Sequence, residues 1–259
     1  EVTKVIENMD IIGLVNVQLA YVDEKIYLLE VNPRASRTIP FVSKALGMPL
    51  AKIAARVMAG ISLKDQGVTK VPELDFFSVK EAVMPFDRFQ DVDPILGPEM
   101  RSTGEVMGIG KTFVEAFEKA EIAAGVNIPK SGSAFISVRD TDKDFLEDIA
   151  KDLTSAGFSI VGTKGTIRKL NELGYEARQI NKVLEGRPHI IDLMKNNEIS
   201  LVINTTEGRE SIKDSASIRR TALDEKICCT TTIQGAVAIC KVITNELDWS
   251  VQKLQDIHI

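Results

Sequence analysis

"SAFISVRDTDKDFLEDIAKDLTSAGFSIVGTKGT", residues 133–166, runs from an apolar strand through a charged helical stretch into a second apolar strand. The pattern then repeats: "TIRKLNELG" reads as a helix, "ISLVINTT" and "KICCTTT" as further strands. Strands alternating with helices at this spacing predict a parallel sheet covered on both faces. Ligands of such sheets bind beyond the carboxyl ends of the strands. Those ends read Gly162-Thr163, Asn204-Thr205-Thr206 and Thr230-Thr231-Thr232, a hydroxyl-rich rim that suits phosphate.

Within that rim, "VGTKGT" sets Thr163, Lys164, Gly165 and Thr166 where a strand hands over to a helix. Free backbone N–H groups and the helix dipole make such a turn an anion site. The same residues also read as a plain threonine N-cap. Three features lean toward an anion: Lys143 at the start of the preceding helix, Lys182 in "INKVLEG", and Asn204, Thr206 and Arg209 in "NTTEGR". Ser137 is a further candidate at the end of the first strand.

Working back toward residue 1, the grammar changes. "IIGLVNVQLAYV" and "IYLLEV" alternate as strands, and a three-residue connection at Asp23-Glu24-Lys25 would join them in a hairpin. Val22 would then face Ile26, Ala20 face Leu28, Gln18 face Glu30 and Asn16 face Asn32. Period-two geometry puts these four polar residues on one face, with cross-strand partners about 4.5–5.5 Å apart. Glu30, Gln18 and Asn32 are hard oxygen donors of the kind magnesium takes when shared with nucleotide phosphates. Arg34 and Arg37 in "NPRASRT" add forked donors for phosphoryl oxygens. A polar hairpin face paired with a neighbouring element fits the same pattern. Two short helices follow, in "PFVSKALGMPLAKIAARVMAG"; residues 76–89 read as a strand and its turn, and 91–110 as an ordered loop rich in Asp, Pro and Gly. "KTFVEAFEKAEIAAG" is an amphipathic helix ending at Gly125, and "VNIPKSGS" a linker.

The bulk numbers exclude several classes. The 259 residues carry a net charge of −5, which argues against a broad nucleic-acid-binding face. No apolar run approaches the roughly 18 residues of a membrane span. Three cysteines, Cys228, Cys229 and Cys240, lack paired spacing and nearby histidines, which points to a reducing, cytoplasmic setting without structural zinc.

The residues quoted from 11 to 125, above all "EVNPRASRT" with "GVTK", "SVKEAVMPF" and "DPILGPEMRSTGEVMGIG", resemble the closing segment of an ATP-grasp domain in the large subunit of carbamoyl phosphate synthetases. Within that family the second, carbamate-phosphorylating half is the better match. From 133 to 245, "GTKGT", "NKVLEGRPHI" and "VINTTEGR" resemble the methylglyoxal-synthase-like regulatory domain of the same family. The resemblance implies a partial ATP-grasp α+β domain (1–126) followed by a Rossmann-like parallel α/β regulatory domain (127–259). It implies ATP with magnesium or manganese, the metal on Gln18, Glu30 and Asn32, and Arg34 and Arg37 at the transferring phosphoryl group. It implies a nucleotide effector of the UMP or IMP type on Lys143, Thr163, Lys164, Thr166, Lys182, Asn204, Thr206 and Arg209. A glutaminase small subunit and oligomerisation through the C-terminal domain belong to the same expectation, as does a fragment without turnover of its own.

Two departures from the family pattern matter. Methylglyoxal synthases carry a carboxylate base in a Gly-Asp-Gln run, where this chain reads Gly186-Arg187-Pro188, so a stand-alone enzyme of that kind would lack its base. A purely regulatory nucleotide-binding module is the other alternative. Glu81 and Thr231 match positions at which some relatives bind ornithine between domains, but Cys229-Thr230-Thr231 replaces the Tyr-Asp-Thr run and removes the amine-binding aspartate.

Overall fold

Asp23 and Glu24 both adopt left-handed backbone angles, φ 48° and 59°, and form a two-residue hairpin turn. They belong to a computed structural model that describes residues 2–84, 86, 94, 104–183, 185–245 and 251–258, apart from the side chains of Arg209, Glu210, Asp214, Leu254 and His258. After helix α1 (Val2–Glu7), the turn joins β1 (Asn16–Val22) to β2 (Lys25–Asn32). Two left-handed residues in a two-residue loop match the twist of the flanking strands. This corrects the three-residue connection: Val22 pairs with Lys25 and Ala20 with Tyr27. A register shift next to Leu19 leaves Leu29 as an extra residue, and the bulge restores Gln18 opposite Glu30 and Asn16 opposite Asn32. The polar pairs are therefore kept although the turn is one residue shorter. Helices α2 (Thr38–Leu46) and α3 (Leu50–Met58) follow. Gly47, left-handed at φ 65°, caps α2 by donating its N–H to Ser43.

The chain divides into two compact units, Glu1–Asp75 with Ser250–Ile259, and Phe76–Trp249. The division after residue 126 expected from the sequence falls inside the second of these.

That second unit opens with β3 (Phe77–Val83) and β4 (Gly104–Gly110), paired antiparallel, and α4 (Phe113–Ala123) packed on them. Residues 104–110 are thus a strand, not the loop expected there; 91–93 and 95–103 lie outside the described residues. Two of the glycines that disguise β4, Gly108 and Gly110, are required by α4. A Cβ on Gly108 would lie 2.0 Å from the Ala116 carbonyl oxygen and 2.5 Å from the Ala120 nitrogen. Helix and strand approach so closely that only a hydrogen fits between them.

The parallel sheet forms as expected from β5 (Ser133–Ser137), β6 (Ser159–Gly162), β8 (Leu201–Asn204) and β9 (Cys228–Thr230), with a short β7 (Arg178–Gln179) added at one edge. Its order is β7-β6-β5-β8-β9. Period-two alternation divides the core between the faces. Ala134, Ile136, Ile160, Leu201 and Ile203 pack against α5 (Leu146–Ser155), α6 (Lys164–Glu172) and α10 (Ile233–Thr244). Phe135, Val161 and Val202 pack on the other face against α7 (Ile190–Lys195) and α9 (Ala216–Asp224). Leu201, Val202 and Ile203 are all fully buried, as a central strand covered on both sides demands. α8 (Arg209–Asp214) lies between β8 and α9 in the chain. The three cysteines are free, and burial pushes each thiol up to about 12, which makes them packing residues, not nucleophiles or metal ligands.

Candidate functional site

The carboxyl ends of the parallel strands build one polar rim. Ser137 ends β5 beside Asn204 at the end of β8. The Ser137 hydroxyl lies 3.3 Å from that of Thr163, the N-cap of α6. Thr163 makes no side-chain cap, so the N–H groups of the first turn of α6 are left to another partner. That turn holds no acidic residue, and Lys164 occupies its first position. A Cβ on Gly165 would lie 3.7 Å from Lys143 Nζ, so the Lys143 ammonium stands over the same turn. Two cations at the positive end of a helix dipole oppose the usual preference, and a bound anion would reverse the sign of that interaction. Asn204 is 1% exposed, and its side-chain N–H₂ finds no acceptor among the described residues. Buried donors are rarely left without a partner.

Two threonines brace the rim. The Thr166 hydroxyl is buried and accepts the N–H of Val138 at 3.3 Å, and Thr205 accepts the N–H of Arg139 at 3.1 Å. The sequence places Thr205 in the rim between Asn204 and Thr206 but assigns it no contact of its own. Lys164 and Lys182 are exposed, Thr206 is half-buried, and Arg209 begins α8, its side chain lying outside the described residues.

A catalytic reading of the same unit meets an obstacle at Asp192. Arg187 donates to both carboxylate oxygens of Asp192, Nε lying 3.0 and 3.1 Å from them, and the His189 N–H donates at 3.0 Å. The Arg187 hydrogen bond, first, holds this carboxyl down at about 2. A carboxylate so weakly basic and so fully engaged is a poor general base. His189 serves as the N-cap residue of α7.

In the hairpin, Gln18 stands opposite Glu30, and Asn32 donates its side-chain N–H to Glu30 Oε1 at 2.9 Å. The second Glu30 oxygen and the Asn32 carbonyl oxygen are left as acceptors, and Gln18 brings a third oxygen, a hard donor set that fits magnesium or manganese. No cluster of three or more His, Cys, Asp or Glu occurs among the described residues; of the paired residues Asn16, Gln18, Glu30 and Asn32, Glu30 carries the carboxylate. Arg34 donates to the Ala35 carbonyl at 3.2 Å, and exposed Arg37 forms no ion pair among the described residues.

Glu81 lies on β3 opposite Val106, and Thr231 in the segment before the α10 N-cap; no hydrogen bond joins them. The neighbour that Glu81 acts on is Glu121 of α4. Burial, first, and then the charge of Glu81 push the Glu121 carboxyl up from 4.5 to about 7. Between these values the folded chain holds a proton that the unfolded chain has lost. Stability should therefore fall as pH rises across that window and level off above it. Glu121→Gln is expected to flatten this slope and to raise Tm at pH 8 by about 2–4 °C, the equivalent of roughly 1 kcal/mol after allowing for solvent screening. An unchanged melting profile between pH 4.5 and 8 would refute it.

A family model for the ATP-binding domain of the carbamoyl-phosphate synthase L chain matches residues 1–66, and one for an MGS-like domain matches residues 145–231. The carbamoyl phosphate synthase large chain of Pseudomonas aeruginosa is 55% identical over 258 residues, that of Pseudomonas syringae pv. tomato 56%, and that of Vibrio parahaemolyticus 52%. Each alignment covers 100% of this chain and 24% of the relative. The chain belongs to the carbamoyl phosphate synthase large-chain family. It spans about a quarter of the length of those relatives, part of an ATP-binding domain followed by an MGS-like domain. In this family member the five-stranded parallel sheet is the body of the MGS-like domain, and the β1–β2 hairpin lies in the ATP-binding match. No helix among the described residues is long and apolar enough to cross a membrane.

Proposed function

We propose that the chain contributes one wall of a carbamate-phosphorylating ATP site and a nucleotide-effector domain to a glutamine-fed carbamoyl phosphate synthase. The observation that carries this reading is the unbroken 55% identity across both segments, which joins an ATP-binding hairpin to an MGS-like sheet in one chain. On this reading residues 1–126 close the ATP-grasp domain and 127–259 form the effector domain. Gln18, Glu30 and Asn32 hold magnesium or manganese against the ATP phosphates, and the Asn32–Glu30 hydrogen bond keeps the carboxylate facing its neighbours. Bound there, the metal would supply positive charge against the ATP phosphates. Arg34 and Arg37 steady the equatorial oxygens of the phosphoryl group in flight. The protein works by positioning and fixed charge, with little covalent chemistry of its own.

In the second unit, Lys143, Lys164, Lys182 and Arg209 supply charge, and Thr163, Thr166, Asn204 and Thr206 hydrogen bonds, for the phosphate of a nucleoside monophosphate such as UMP or IMP. Glu81 and Thr231 form a second effector position, weakened for an amino-acid ligand because Thr230 stands where the amine-binding aspartate would be. The partner is a glutaminase small subunit, oligomers form through the C-terminal domain, and the setting is the cytoplasm. The chain by itself has no turnover.

Glu30→Gln in the full-length protein tests the assignment. ATP-dependent carbamoyl phosphate synthesis is expected to fall by about 10²-fold or more, with UMP and IMP binding unchanged. Retained synthesis would remove Glu30 from the ATP site.

A further inference from the structure

The Lys143 ammonium that faces the α6 N-terminus is already occupied. Its Nζ lies 2.7 Å from Asp140 Oδ1, and the two ends of this pair differ sharply: the lysine side chain is 20% exposed, the aspartate 92%. The other acid on the segment, Asp142, is 6% exposed and tied to Arg139 Nε at 2.8 Å, which fixes it as structure. Glu207 adds its charge at Arg139. Asp140 is thus the solvent-exposed acid that Lys143 holds.

We infer that Asp140 is a built-in competitor for the anion site, holding Lys143 in the empty rim and giving it up when phosphate binds. This rests on reading the rim as a phosphate site. A monophosphate brings up to two charges and several acceptors to Lys143 and the free α6 N–H groups together, whereas one exposed carboxylate engages the lysine alone. The buried, unpartnered donor of Asn204, beside Ser137 and hence beside Thr163, is independent support for a ligand there. Asp140 also feels Arg168: its carboxyl lies below the usual range through the Lys143 hydrogen bond and charge, with a smaller contribution from Arg168. It is thus charged across the working pH range and competes throughout it. The consequence is an effector affinity set below what the rim could reach.

The test is a double-mutant cycle on this chain, titrated with UMP, IMP and inorganic phosphate by calorimetry. Asp140→Asn is expected to tighten binding by about two- to fivefold, the range of an exposed ion pair, and to do so only where Lys143 is present. The same gain in a Lys143→Met background would mean simple repulsion of the anion, and would overturn the capture of the lysine. Unchanged or weaker binding in Asp140→Asn would overturn it too, leaving the phosphate site standing if Lys143→Met still loses affinity. No binding of any of the three probes to the parent chain would overturn both readings.

Discussion

Gly108→Ala is expected to destabilise the chain by about 3 kcal/mol or more, at the upper end of overpacking costs, and to lower Tm by roughly 6–12 °C. The added methyl would meet the Ala116 carbonyl oxygen at 2.0 Å and the Ala120 nitrogen at 2.5 Å, both backbone atoms of α4. No rotamer change can clear them, so the helix must move as a body. α4 also packs on β3 and α10, and moving it disturbs both. Gly104→Ala, in the same strand with nothing within 4 Å of the new Cβ, is the control and should change Tm little. Thermal unfolding followed by circular dichroism separates the two. Equal losses at both positions would mean that the cost arises from the strand backbone, not from the helix contact.

Lys143→Met should weaken UMP or inorganic phosphate binding by about 10- to 100-fold, the scale of a charge-assisted hydrogen bond of about 1.5–3 kcal/mol. Stability should hold or rise slightly. The lysine stands over the positive end of α6, and the one ion pair it forms among the described residues is with a carboxylate 92% exposed, so its removal costs the fold little. Affinity lost at an unchanged Tm is the signature of a ligand contact; affinity and Tm lost together would make Lys143 a structural residue.

Much of this was legible in the sequence because it rests on short-range rules. The alternation from Ser133 to Thr232 announced a parallel sheet, since the 3.6- and 2-residue periods are written directly in the apolar positions. Gln18 and Glu30 were paired correctly from a wrong turn: the loop is one residue shorter than expected, and the Leu29 bulge cancels the error. Bulges leave no mark in composition. Strand β4 was hidden because Gly104, Gly108 and Gly110 look like loop residues, while two of them record the close approach of a helix. Close approach is a tertiary fact. β7 is two residues long, too short for any period to register.

The candidate sites divide along the same line. Thr163, Lys164 and Gly165 could be placed from their turn alone, and Lys143 from the start of its helix. That Lys143 reaches across to Gly165, and that Asp140 holds it there, depends on side-chain geometry that spacing does not encode. Thr205 is legible as part of the rim, but not its role, because its hydroxyl serves a backbone N–H of a neighbouring strand end.

The most direct measurement of the central claim is calorimetric titration of the chain with UMP, IMP and UTP, with inorganic phosphate as competitor. Saturable binding of at least one nucleotide at a single site is expected, displaced by phosphate and weakened by Lys143→Met. A folded chain that binds none of the three would contradict it, and the threonine rim would then be a set of helix caps and strand braces.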